Sequence, residues 1–317
     1  MRHDMSRGSV RGTSRLDVQG FSVTDGPGCR TIGFLQGCPL RCNWCANPEG
    51  IDPHPVPLLM ASTCDLCGDC AGACPYGAVS ADGPAVAIDR DICAGCETFP
   101  CVNACSRGAL EIAGYEVELD QLMRILQRDR RYWGASGGVT LTGGEPLFQR
   151  SFATQLLRRC SESYIHTAVE TCGYAAWPAY ADCLPHLDWN FFDIKHVDDD
   201  RHLGAAGRSN DLILSNARRL AESFDGRLVF RTPVIPGLND SDRDMRDLAD
   251  FVAHLPRPDL EINLLPIHHY SREKYRKLGQ AYPMPDLSIP TPEQLARAAQ
   301  VFDDAGVTCY VGSETPF

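Results

Sequence analysis

No run of eighteen apolar residues occurs in the 317-residue chain, so the sequence offers no membrane-spanning helix. The first fifteen residues, Met1 to Arg15, are polar and basic without an apolar stretch. They are not a secretory signal and read as a disordered leader. No Lys- or Arg-rich block stands out and the net charge is −11, a balance that argues against nucleic acid as partner. No pair of groups suggests general acid–base chemistry. With no export signal, sixteen cysteines point away from disulfides and toward metal in a reducing cytoplasm.

Cysteine is what the chain has in unusual arrangement. Eleven of the sixteen fall in three tight clusters: Cys38-x3-Cys42-x2-Cys45, Cys64-x2-Cys67-x2-Cys70-x3-Cys74-Pro75 and Cys93-x2-Cys96-x4-Cys101-x3-Cys105. Sets of three, four and four are the ligand counts for three iron–sulfur clusters, one of which keeps an iron free. Four cysteines saturate a [4Fe–4S] cube. Three leave one iron open to hold and reduce a small molecule. A structural zinc wants four ligands, and the nearest fourth for the first set, Cys29, is on the preceding strand. An exposed three-cysteine cluster is attacked by oxygen, so an anaerobic cell is expected.

The two four-cysteine sets lie in an internal repeat over residues 58–113, rich in Cys, Gly, Ala and Asp. Its halves run from Cys64 to Val79 and from Cys93 to Leu110, each ending in a cysteine, a turn and an apolar pair. The first set has the order of the bacterial ferredoxin run, in which the fourth cysteine ligates the other cluster. That rule assigns Cys64, Cys67, Cys70 and Cys105 to one cube and Cys93, Cys96, Cys101 and Cys74 to the other. The spacing between Cys96 and Cys101 is looser than in that run.

Around this insert, residues 16–57 and 114–317 form the larger unit. After a first strand at Thr31–Leu35, helix and strand alternate. Helices are expected near 117–131, 148–160, 176–184, 210–224 and 240–255, with a last one capped by Thr291 and begun by Pro292. Strands are expected around Val139–Leu141, Ala168–Glu170, Trp189–Ile194, Leu228–Arg231, Glu261–Leu265 and Val307–Val311. Such units build a parallel sheet, and five or six of them a full or partial barrel of the α/β class. Five strands end in polar signatures: Thr142-Gly143-Gly144-Glu145-Pro146, Glu170-Thr171-Cys172-Gly173, Asp193-Ile194-Lys195, Arg231-Thr232-Pro233 and Pro266-Ile267-His268. Barrel active sites are built after the strand C-termini.

The motif Cys38-x3-Cys42-x2-Cys45 after a first strand resembles that of the radical S-adenosylmethionine (SAM) enzymes. The stretches Asp25-Gly26-Pro27-Gly28-Cys29-Arg30-Thr31 and Gln36 to Glu49 resemble one branch of them, the glycyl-radical-enzyme activating enzymes of the pyruvate formate-lyase activator type. The resemblance covers nearly the whole chain from residue 16. It implies a partial (βα)6 TIM-like barrel with a bacterial-ferredoxin-like insert, three [4Fe–4S] clusters and SAM as cosubstrate. Gly143, Gly144 and Glu145 would meet the SAM amino group, and Trp44 would shield the cluster. Glu170 and Asp193 would line the site beside a monovalent cation. Lys195 and His268 would face the SAM carboxylate, and Arg231 its ribose and methionyl part. The implied reaction is reductive cleavage of SAM and removal of a hydrogen atom from a glycine of a partner enzyme. A flavodoxin or ferredoxin would be the electron donor, and the chain itself a cytoplasmic monomer. Cys29, Cys160, Cys172, Cys183 and Cys309 read as buried small hydrophobes.

Overall fold

The computed structural model describes residues 13–313. Along the chain the strands are β1 (Thr13–Ser22), β2 (Arg30–Leu35), β3 (Val56–Leu59), β4 (Val79–Ser80), β5 (Ala87–Ile88), β6 (Leu110–Ala113), β7 (Tyr115–Glu118), β8 (Gly138–Gly143), β9 (His166–Thr171), β10 (Trp189–Asp193), β11 (Arg227–Val234), β12 (Glu261–Pro266) and β13 (Thr308–Val311). The helices are α1 (Asp69–Ala73), α2 (Arg90–Cys93), α3 (Pro100–Asn103), α4 (Leu119–Asp129), α5 (Arg150–Glu162), α6 (Trp177–Cys183), α7 (Asp199–Ala206), α8 (Asp211–Ser223), α9 (Asp242–Ala253), α10 (Arg272–Lys277) and α11 (Pro292–Asp304).

Nine strands form one sheet in the order β13-β12-β11-β10-β9-β8-β2-β1-β7. From β2 to β13 every neighbouring pair is parallel, while β1 runs antiparallel to both β2 and β7. Among the described residues β7 and β13 do not pair, so the barrel is partial, with one more parallel strand than six units supply.

The two faces of the sheet bury different side chains because successive residues alternate. Phe192, Phe230, Ile262 and Leu264 join the core under the helices, and Ala168, Phe191 and Val229 pack on the inner face. The helices meet that core through apolar stripes at helical spacing, as in Phe152, Ala153, Leu156, Leu157 and Cys160 of α5. At the strand starts Arg30, wholly buried, donates from Nε to Thr140 Oγ1 (2.6 Å) and from Nη1 to Pro27 O (3.1 Å).

Most expected elements lie within a few residues of their observed bounds, and Thr291 caps α11 in a full capping box with Gln294. Three readings are corrected. Thr13–Arg15, placed in the leader, begin β1 and register with Glu118, Val117 and Glu116 of β7, so main-chain pairing fixes their backbone. The rest of that leader lies outside the described residues. The helix expected from 117 starts at Leu119 because Tyr115–Glu118 are the edge strand. Residues 199–206, to which the sequence reading assigns no element, are α7, whose N-terminus is capped by the Asp198 side chain (accepting from Arg201 N, 3.0 Å) and whose C-terminus stops at Gly207, φ 74°. The insert leaves the barrel on a two-stranded stem, Val56↔Ala113 to Leu59↔Leu110.

Candidate active site and cysteine-rich insert

The chain leaves β2 through Gln36 and Gly37 into the first cysteine loop. Gly37 has φ 96°, and a Cβ there would lie 2.3 Å from the Phe148 ring, so the turn needs glycine. Main-chain bonds hold the loop on three sides. Gly37 N donates to Gly50 O (2.9 Å) and Cys38 N to Ile51 O (3.0 Å). Arg41 N and Asn43 N donate to Ala206 O (2.8 Å) and Ala205 O (3.1 Å), the last carbonyls of α7. Glu145 N donates to Gly37 O (2.8 Å).

The loop gathers Cys38, Cys42 and Cys45, so that Cys42 feels the charge of Cys38 and Cys45 that of both. Burial pushes the Cys42 thiol up to about 11 and the Cys45 thiol up to about 12. Without metal these thiols are therefore protonated at neutral pH, and a thiolate-bound metal must displace their protons.

Beside the loop, adjacent strands present two ion pairs. Arg231 Nη1 donates to Glu170 Oε1 (2.6 Å), and Thr142 Oγ1 donates to Glu170 Oε2 (3.0 Å). The Arg231 guanidinium lies over the Phe191 ring, 3.8 Å from its centroid, and its buried Nε has no acceptor. Lys195 Nζ donates to Asp193 Oδ2 (2.8 Å), and Asp193 is in register with Arg231. Burial pulls Lys195 down, but the Asp193 carboxylate and the Cys42 and Cys172 sulfurs outweigh it and hold the ammonium above its ordinary value. Burial raises the Glu170 carboxyl, with Arg231 opposing. Each acid thus has a cation of the protein as partner, so this pair leaves little uncompensated charge for the monovalent cation expected there.

Glu145 is wholly buried, and its carboxylate accepts from Leu147 N (3.0 Å), Thr171 Oγ1 (2.9 Å) and Cys172 N (2.8 Å), which ties the end of β8 to the end of β9. Gly143 and Gly144 also have a packing duty, since a Cβ would sit 2.4 Å from Leu35 N or Gly37 O. His268 stands exposed at the rim, stacked on Tyr270 at 4.6 Å and outside the network of Glu170, Asp193 and their partners. Trp44 is half-buried between its two neighbouring cysteines.

Cys172, expected as a buried small hydrophobe, is buried just past β9, where its N–H donates to Glu145 Oε2 (2.8 Å).

In the insert the two halves cross. A small hollow is lined by Cys64, Cys67, Cys70 and Cys105. Cys101 feels the charge of Cys93, Cys74 and Cys96. Backbone N–H groups point at the sulfurs: Ala78 to Cys74 (3.3 Å), Phe99 to Cys96 (3.4 Å) and Ala109 to Cys105 (3.2 Å). Among the described residues no three His, Cys, Asp or Glu converge tightly enough to hold a single metal ion. Four cysteine sulfurs around one hollow are the donor set that a [4Fe–4S] cube takes.

A parallel partial barrel with a three-cysteine loop and paired charges at its strand ends defines a class of protein. The sequence model of the Radical SAM superfamily matches residues 66–249, and the chain belongs to that superfamily, in its branch of glycyl-radical-enzyme activating enzymes. That match starts within the insert; whole-chain relatives extend it across the first cysteine loop. The 4-hydroxyphenylacetate decarboxylase activating enzyme of Clostridium scatologenes is 41% identical over 95% of this chain and 98% of its own. The indoleacetate decarboxylase activating enzyme of Tractidigestivibacter scatoligenes is 38% identical over 93% and 96%. The isethionate sulfite-lyase activating enzyme of Oleidesulfovibrio alaskensis is 40% identical over 86% and 89%.

Proposed function

We propose that the chain activates a glycyl radical enzyme, binding SAM at the cluster held by Cys38, Cys42 and Cys45. The observation that carries this reading is the Lys195 ammonium of the Asp193–Lys195 pair set beside Cys42 of that loop, with Arg231 of the Glu170–Arg231 pair in register with Asp193. When bound, the cluster supplies one electron to the sulfonium of SAM, whose C–S bond breaks to give methionine and a 5′-deoxyadenosyl radical that takes the glycine Cα hydrogen. The protein's part is to orient SAM and keep water out. The orphaned Nε of Arg231 offers a buried donor to a ligand oxygen. Lys195 sets a cation beside Cys42 and supports the anionic cofactor. Activators of three different enzymes resemble this chain at 38–41% identity, so the partner's class carries over and its substrate does not.

Cys64, Cys67, Cys70 and Cys105 would hold one auxiliary [4Fe–4S] cluster, and Cys74, Cys93, Cys96 and Cys101 the other. These would pass electrons from a flavodoxin or ferredoxin to the open cluster of a cytoplasmic monomer. Anaerobically reconstituted protein should carry about twelve irons and, once reduced, form 5′-deoxyadenosine from SAM. With its partner it should raise a glycyl doublet in electron paramagnetic resonance (EPR). No 5′-deoxyadenosine from fully loaded, reduced protein would sink the reading.

A further inference from the structure

The insert leaves the barrel on a stem whose two strands pair only from Val56↔Ala113 to Leu59↔Leu110, too short to fix where its far end lies. Two cations on either side of α10 fix it instead. Arg90 opens α2, the helix that ends at Cys93. It donates from Nη1 to Pro57 O (2.8 Å), from Nη2 to Lys277 O (3.4 Å) and from Nε to Leu278 O. The last two carbonyls end α10, where a cation meets unpaired acceptors and the negative end of the helix dipole. From the same helix Lys274 Nζ reaches the first cysteine loop, donating to Asn47 Oδ1 (2.6 Å) and Glu49 Oε1 (2.5 Å), just past Cys45. The helix is itself anchored: Tyr275 is buried against Tyr282 (5.4 Å between centroids), and Arg272 Nη2 donates to Pro285 O (2.9 Å). One fixed helix thus joins the loop of Cys45 to the helix of Cys93. In the other cysteine set Cys67 is exposed, and the neighbouring Arg107 pairs within the insert, with Asp65 (2.7 Å).

We propose that Arg90, through α10 and Lys274, positions the cluster of Cys74, Cys93, Cys96 and Cys101 as the one that hands its electron to the cluster of Cys38, Cys42 and Cys45. The proposal rests on all three cysteine sets holding their clusters. In the handover the first cluster is oxidised as the second is reduced, and the flavodoxin or ferredoxin supplies the electron. Electron transfer falls off steeply with distance. An insert free to swing on its stem would deliver only while it lay against α10, so the rate follows the latched population. Arg90 is a positioning residue: it sets where Cys93 lies and takes no part in the chemistry of SAM.

The test is EPR power saturation of reconstituted, dithionite-reduced wild type, Arg90→Ala and Arg90→Lys. The signal that SAM addition perturbs reports the open cluster, and a reduced neighbour held close speeds its spin relaxation. Arg90→Ala should lower the latched-to-open ratio about tenfold or more. The half-saturation power of that signal should then fall toward that of an isolated cluster, at unchanged iron. Arg90→Lys keeps a cation for the α10 carbonyls and should recover most of the loss. Formation of 5′-deoxyadenosine driven by reduced flavodoxin should slow and recover in step. If Arg90→Ala sheds the iron of the insert, Lys274→Gln cuts the link on the other side of α10 and carries the same expectation. A half-saturation power equal to wild type in a variant with about twelve irons overturns the proposal. A wild-type signal that already relaxes as an isolated cluster overturns it too. Wild type without a SAM-responsive signal would instead be the failure of the Cys38–Cys42–Cys45 reading, and wild type with only about four irons that of the eight-cysteine reading.

Discussion

In the barrel, sheet and helices share one continuous apolar core that runs from Leu16 to Val307. In the insert the buried positions are Cys70, Cys93 and Cys101 beside a few apolar neighbours such as Val79, Val86, Phe99 and Leu110. Its helices α1, α2 and α3 have five, four and four residues, and its strands β4 and β5 two each. Helices so short do not stand alone in water. The barrel folds by packing; the insert has cysteines where a core would be, and the clusters proposed there would supply the missing cohesion. It leans on the barrel through Arg90, which donates to Pro57 O (2.8 Å), to Lys277 O (3.4 Å) and to Leu278 O.

The largest expected effect follows directly. Stripping iron with a chelator under anaerobic, reducing conditions should unfold residues 58–113 and leave the barrel folded. Limited proteolysis should then cut within the insert alone. An apo-insert protected as well as the barrel would break the comparison.

The reciprocal perturbation is a cavity in the barrel. Phe192 is wholly buried against Phe230 (6.0 Å between centroids) and Tyr180 (6.3 Å). Phe192→Ala should cost about 3–5 kcal/mol in denaturant unfolding of the barrel. The iron held by the insert's eight cysteines should not change in protein that remains folded.

A smaller change at the barrel mouth should separate binding from both scaffolds. Lys195→Ala and Arg231→Ala each remove a charge-assisted contact of roughly 1.5–3 kcal/mol, on the order of ten- to a hundredfold in SAM affinity. Iron content should hold, as read by chemical assay on the sample used for SAM titration. His268→Ala, at the rim, should weaken SAM less than either. SAM affinity untouched in Lys195→Ala and Arg231→Ala would remove these pairs from the site.

The same contrast sets what could be read from the sequence. Cysteine spacing carries its meaning without a fold, so the three-cysteine loop of the superfamily could be named in advance. Strand ends were legible because parallel strands buried on both faces read as apolar runs broken by polar signatures. Direction was not legible. Glu145 is as acidic as Glu170, and only the donors at Leu147, Thr171 and Cys172 turn its carboxylate inward. The antiparallel strands β1 and β7 were missed because pairing, not pattern, defines them. α7 was missed because its buried face is made by His202, Ala205 and Ala206, with no large apolar stripe.

The smallest effect sharpens the contrast by pH. The insert contains no histidine, whereas His196 and His202 are buried next to the cysteine loop's support. Burial lowers both below the ordinary 6.5; for His196 Asp244 opposes and Arg201 assists, and for His202 the Arg208 carbonyl opposes and Lys195 assists. A histidine depressed in the folded state favours its neutral form there. Its contribution to stability is full above about 6.5, the unfolded value, and is lost as the pH falls through the lower folded value. Between pH 7 and pH 5 the barrel should therefore lose some thermal stability. His202 belongs to α7, whose terminal carbonyls hold Arg41 N and Asn43 N, so the loss should appear first as faster hydrogen exchange in 199–206 and 41–43. His202→Gln cannot gain the proton and should flatten the slope. A thermal midpoint that is flat over this range in wild type, or a slope unchanged in His202→Gln, would show that these histidines do not couple the loop to pH.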